Sequence, residues 1–170
     1  MNRIKTEKDK FNFTPAYGEN KFLNIKIDGV WIDEKFNKLY PNNFIEGTIP
    51  TLSYKLQTEI EEKIVWKRFL PAENTVTICP ILMCPDDCDF ECSLIVAEIE
   101  NSKTQIRWNR IGLDKSETYK IKENVGSDVE WFKGKYSFEF ERDEYLKVIS
   151  NFKRQYEIDK IEYEEYCKKK

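Results

Sequence analysis

Four of the five cysteines crowd into one stretch, Cys79, Cys84, Cys88 and Cys92, with gaps of four, three and three residues between them. Thiolates are soft donors, and four of them complete a tetrahedral zinc site. The spacing departs from the usual zinc pattern, in which two ligands two residues apart sit in a tight turn and a distant segment supplies the rest. Cys79 and Cys92 also fall in stretches that read as strands, where free cysteine behaves as a small core hydrophobe. The expectation is four buried thiols with no metal and no cofactor. The alternative is a metal-binding protein that uses the Cys79 to Cys92 cluster.

The same connection carries Asp86, Asp87 and Asp89 behind Pro85. Carboxylate oxygens suit calcium, but the long alternating oxygen series, the glycine and the distant glutamate of a calcium loop are missing. Pro and Asp favour turns, and a turn with three negative charges suits a basic partner surface. Arg107, Trp108 and Arg110, and separately Trp131 beside Asp128 and Glu130, are further surface candidates, since Trp and Arg are enriched at binding hot spots. For Trp108 the competing reading is packing within the sheet. The candidate binding set is therefore Asp86, Asp87, Asp89, Arg107, Arg110 and Trp131.

Catalysis has little to stand on. The chain holds no histidine, which removes the commonest general base and the usual partner of a nucleophilic cysteine. Asp and Glu total 31, and such abundance singles out no pair for acid–base work. The six glycines are dispersed and build no phosphate loop. A non-catalytic protein is expected, with an enzymatic or ligand-binding domain around an unlocated acidic site as a further alternative.

At 170 residues, one domain with a real core is expected. The net charge of −3 provides no basic field to draw the chain onto nucleic acid or an anionic membrane. The polar start, MNRIKTEKDKFNF, does not read as an export signal, and no apolar run approaches a membrane span. An odd number of cysteines suits a reducing compartment. A soluble, cytoplasmic protein is expected.

The elements that must position these residues centre on Asn74 to Gly112, which reads as three strands. Cys92 to Ile99 is largely apolar on both faces and should be central in its sheet. Gln105 to Ile111 alternates, with Ile106 and Trp108 on one side and Arg107 and Asn109 on the other. Thr75 to Met83 should carry an edge or a bulge at Pro80, which lacks a backbone donor.

Before this stretch, residues 1 to 20 read as a loose arm with scattered Phe11, Phe13 and Tyr17. Leu23 to Ile32 reads as a hairpin across Asp28-Gly29, with Ile27 facing Val30 and Ile25 facing Ile32. Asp33 to Pro50 is mostly connection with one helical turn. Thr51 to Leu70 fits either period and reads as two strands on the β propensity of Ile64-Val65-Trp66.

After Gly112 a polar surface excursion leads to a last hairpin, Val129 to Phe132 with Tyr136 to Phe140. A helix follows, with Tyr145, Ile149, Phe152 and Tyr156 on one stripe. Its outer part, about 158–170, is expected to project, fray or meet a partner.

The fold expected is α+β: a loose arm over 1–20, then a single domain over 21–170 with a mainly antiparallel sheet and a long C-terminal helix packed on one face. The function expected is protein binding, of the kind a bacterial immunity-type inhibitor performs when it caps the basic surface of a toxin. Nucleic acid and membrane are not expected partners.

Overall fold

The computed structural model describes residues 1–12 and 14–170; Phe13, placed in the N-terminal arm above, lies outside the described residues. Among the described residues the fold is α+β, with two antiparallel sheets and three α-helices. The first sheet has the order β1 (Ile4–Lys10), β2 (Lys21–Ile27), β3 (Val30–Trp31). Residues 4–10 are thus a strand and not part of a loose arm. Ile4 opposes Ile27 and Thr6 opposes Ile25, while on the other face Glu7 accepts a bond from Lys26 at 2.8 Å and pairs with Lys5 at 3.1 Å. With one aliphatic residue in IKTEKDK, the strand is defined by its neighbour more than by its own pattern.

Asp28 and Gly29 both take positive φ, 54° and 83°, as a two-residue hairpin turn requires. Ile27 faces Val30 as expected, but the returning strand stops at Trp31 and α1 (Ile32–Leu39) begins. Ile25 and Ile32 are therefore buried without being strand partners, and Val30 is exposed. Lys26 and Trp31 do share the outer face, with the ammonium 4.1 Å from the ring centroid.

The second sheet runs β4 (Ile49–Pro50), β5 (Thr75–Met83), β6 (Leu94–Asn101), β7 (Gln105–Asp114), β8 (Val129–Trp131), and β9 (Phe138–Glu141) also pairs with β7. Strand β6 lies between two long neighbours, in keeping with its apolar faces. The β5/β6 register slips between Pro80 and Leu82, a bulge where the proline has no N–H to give. The expected last hairpin does not form: β8 pairs with Gly112 to Asp114 and β9 with Gln105 to Trp108, so the two lie end to end along β7.

Thr51 to Leu70 corrects the two-strand reading, because Glu59–Phe69 is helix α2. Its start is a capping box: Glu61 N–H donates to Thr58 Oγ1 at 3.2 Å and Thr58 N–H to Glu61 Oε2 at 3.1 Å. Glu61 is fully buried, accepts a further bond from Phe90 N–H at 3.0 Å, and lies 3.5 Å from the Lys122 ammonium. One carboxylate thereby joins α2 to both neighbouring loops. Burying a carboxylate is costly unless it is paired and hydrogen-bonded, as it is here.

Helix α3 (Arg142–Lys168) buries Tyr145, Val148, Ile149 and Phe152. Trp108 sits at the centre of the core, with Phe140, Phe69, Tyr145 and Phe36 rings between 5.3 and 6.4 Å from it. Its indole N–H donates to Tyr145 Oη at 3.2 Å, and that hydroxyl donates to Phe69 O at 2.8 Å. Trp108 is therefore core and not surface. The outer half of α3 is held within the chain, because Tyr17 packs on Tyr163 at 5.2 Å and Tyr166 at 5.5 Å, and Tyr54 on Tyr156 at 4.9 Å.

Candidate functional site

The six candidate binding residues occupy two places. Arg107, Arg110 and Trp131 share the face of the second sheet opposite Trp108. The β6/β7 register breaks between Glu98 and Ile99, which lets Asn109 and Arg110 both lie outside while Trp108 and Ile111 lie inside. Arg110 donates from Nε and Nη2 to Glu98 Oε1 at 3.1 and 2.8 Å, and its guanidinium carbon sits 3.9 Å from the Trp131 ring centroid. Half of the Arg110 side chain is still open to solvent.

Gly112 makes this stack possible. Trp131 is its partner in the ladder, and a Cβ on Gly112 would lie 2.6 Å from Val129 Cγ1 and 2.8 Å from Glu130 O. The missing side chain is what lets β8 approach β7 so closely. Further along β7, Arg107 pairs with Glu139 at 2.6 Å, and its Nε is buried without a hydrogen-bond partner. Glu100 meets the Asn109 amide at 3.4 Å and, among the described residues, forms no ion pair.

The β5/β6 connection separates its three aspartates by role. Asp86 and Asp87 are exposed. Asp89 is half-buried, and its Oδ1 accepts from Glu91 N–H at 2.9 Å and Cys92 N–H at 3.0 Å, so it caps backbone donors of the turn. The backbone carbonyls of Asp87 and Cys88 accept from the Gln57 side chain at 2.9 Å and its N–H at 3.1 Å.

The four thiols separate likewise. Cys79 is fully buried in β5, where Sγ faces the carbonyls of Pro80 at 3.3 Å and Val65 at 3.9 Å. Burial raises its pKa well above that of a free thiol, as in an inert core cysteine. Cys88 takes a left-handed backbone (φ 51°) and turns its thiol to Pro85 O at 3.2 Å; burial pushes it up to about 11. Cys84 and Cys92 are half-buried and converge with Asp87, their donor atoms all within 4.8 Å of one another. The four-cysteine set is thus divided in space, and a carboxylate joins two of its members.

Sequence reasoning missed Glu98 and Gly112, which position the Arg110–Trp131 stack. The glycine inside a strand pattern was the available signal. It also missed a groove of about 1100 Å³ between α2 and α3, lined by Tyr54, Trp66 and Tyr156. Those rings meet edge to face, Trp66 on Tyr156 at 6.1 Å and 89°, and Tyr156 Oη donates to Glu62 at 2.7 Å. All three rings are half-buried in the groove wall.

Compared with protein-family models, with curated proteins and with solved structures, the chain matches none.

Proposed function

We propose that the chain is a non-catalytic protein-binding domain that docks through the outer face of the second sheet, with the Arg110–Trp131 pair at its centre. The observation that carries this reading is the pair itself. The guanidinium is stacked 3.9 Å from the indole and anchored by Glu98, yet remains half open to solvent. A rigid aromatic and a pre-oriented guanidinium lose little conformational freedom on association, and such residues dominate binding hot spots.

The partner is a protein with a basic surface. Glu98, Glu100 and Glu139 outnumber Arg107 and Arg110 on this face, and Glu100 has no cation of its own among the described residues. Inhibition by capping, as an immunity-type protein acts on a toxin, is the specific form of this reading.

The test is affinity capture from the native cell with the wild-type chain, followed by measured binding of the captured protein to Arg110→Ala, Trp131→Ala and Glu100→Gln variants. The first two are expected to weaken binding by about 2 kcal/mol or more each, as hot-spot truncations do. Glu100→Gln is expected to slow association mainly at low salt. If the captured protein binds all three as it binds wild type, while they melt normally, the docking face is elsewhere. If the wild-type chain captures no protein, the reading fails as a whole.

A further inference from the structure

We infer that Cys84, Asp87 and Cys92 form a binding site for a divalent zinc-type cation in the β5/β6 turn. Their three donor atoms, two sulfurs and a carboxylate oxygen, lie within 4.8 Å of one another. In a tetrahedral zinc site, bond lengths of roughly 2.3 Å to sulfur and 2.1 Å to oxygen put neighbouring donors about 3.5 to 3.8 Å apart. A contraction of at most about 1.3 Å, within the reach of side-chain rotation, therefore closes the site around a metal.

The turn holds this arrangement with contacts that do not involve a metal. Cys84 and Cys92 stand at the neck of the β5/β6 pair, just outside the Met83–Leu94 rung. Cys88 N–H donates to Cys84 O at 3.0 Å, and the Asp89 carboxylate fixes the Cys92 N–H at 3.0 Å. Gln57 and Glu61 tie the same loop to the start of α2 through Asp87 O and Phe90 N–H. Such second contacts orient the ligands and reduce the reorganisation that metal binding demands.

The donor chemistry selects the ion. Two thiolates favour zinc, or cobalt as its spectroscopic substitute, over magnesium and calcium, which prefer oxygen. Binding is an exchange without redox change: each thiol releases its proton to solvent as a metal–sulfur bond forms, and the Asp87 carboxylate supplies the third bond. A dication would balance the negative charge of the two thiolates and the carboxylate gathered at this point. Three protein ligands leave the fourth tetrahedral position to water or to an incoming group.

The sequence argued against zinc because it weighed four thiols at unfavourable gaps. The structure removes Cys79 to the core and brings Asp87 into the set.

The experiment adds Zn²⁺ or Co²⁺ to the reduced full-length chain, removes excess ion by dialysis and measures the metal content. One zinc per chain is expected, and cobalt should give thiolate charge-transfer absorption together with a tetrahedral visible band. Both signals should be lost in Cys84→Ser and Cys92→Ser, weakened in Asp87→Asn, and retained in Asp86→Asn and Cys167→Ser. Thiol alkylation mapped by mass spectrometry provides a reading that requires no variant: zinc should protect Cys84 and Cys92 and leave Cys167 reactive. Absence of uptake by the reduced chain overturns the inference. So does uptake that survives loss of both Cys84 and Cys92, or protection that falls on Cys167 alone.

Discussion

Asp86 and Asp89 sit three positions apart in one turn and do opposite work. The Asp86 side chain is exposed, whereas Asp89 accepts two backbone N–H groups at 2.9 and 3.0 Å. Removing the acceptor leaves the half-buried Cys92 N–H unsatisfied, while water can reach the N–H of exposed Glu91, and bonds to a charged group are worth about 1.5 to 3 kcal/mol. Asp89→Ala is expected to lower unfolding free energy by about 1 to 3 kcal/mol, and Asp86→Ala to change it by no more than about 0.5 kcal/mol. Urea midpoints of the two variants decide the matter, and equal midpoints would show that Asp89 is not a cap. In sequence the three aspartates are alike, like charges in a Pro-Asp turn that suit a basic partner. Which carboxylate meets a backbone donor depends on the turn's dihedral angles, among them the positive φ of Cys88, and composition does not encode those.

At the scale of elements, α3 shows how an apolar stripe reports on packing. Tyr145, Val148, Ile149 and Phe152 are the residues it buries. Ile149→Ala is expected to cost about 2 to 5 kcal/mol and Phe152→Ala about 3 to 5 kcal/mol. Deleting residues 160–170 is expected to cost less than either, since it removes Tyr163 and Tyr166 from half-exposed contacts with Tyr17 and Tyr54 and opens no core cavity. Denaturant unfolding of the three proteins gives the order, and a reversed order would place the anchoring of α3 in its outer half.

For α2 the period is ambiguous, and the strand propensity of Ile64-Val65-Trp66 points the wrong way. The capping box at Thr58 and Glu61 and the burial of Ile64, Val65 and Phe69 outweigh it. Propensity differs by less than about 1 kcal/mol per residue, whereas burying a large apolar side chain contributes about 1.5 to 3 kcal/mol.

At the scale of the whole molecule, residues 2 and 6 are brought onto residues 139 and 151. Asn2 N–H donates to Glu139 O at 2.7 Å, and Asn151 reaches Thr6 at 2.8 Å. Strand β1 is thus held by β2, by β9 and by α3, so deletion of residues 1–10 is expected to unbury Ile25 and Ile27 and to cause loss of cooperative unfolding. A truncated chain that melts as the full chain does would return residues 1–10 to the status of an arm.

A second global expectation concerns alkaline pH. Burial holds the thiol of Cys88 up to about 11 and the hydroxyls of Tyr40 and Tyr17 up to about 12, and it raises Cys79 and Tyr145 well above their usual values. Unfolded, these groups lose protons from about pH 8.5 to 10. Between those values and the folded ones the unfolded state binds fewer protons, so the slope of stability with pH is negative. Full stability is expected below about pH 8.5, with progressive loss as pH rises through 11 and 12. Melting temperature followed from pH 7 to 12 provides the measurement, and a flat profile above pH 10 would contradict the burial of these groups.

What the sequence by itself determined is local. Asp28-Gly29 specifies a tight turn through positive φ, Pro80 a bulge through a missing donor, and the 94–99 run a central strand through its two apolar faces. The spacing of Tyr145, Ile149 and Phe152 likewise specifies a docked helix. Each of these rests on a residue's own chemistry or on neighbours within two turns of chain. Tertiary structure decided the rest. It paired Ile4–Lys10 with Lys21–Ile27, set β8 and β9 end to end on β7, stacked Arg110 on Trp131, and brought Asp87 between Cys84 and Cys92 while Cys79 went to the core. The physical reason is that periodicity tells which face of an element is apolar but not what will cover it. Strand partners and converging side chains are selected by burial summed over the whole core, where contacts distant in sequence outweigh local preference.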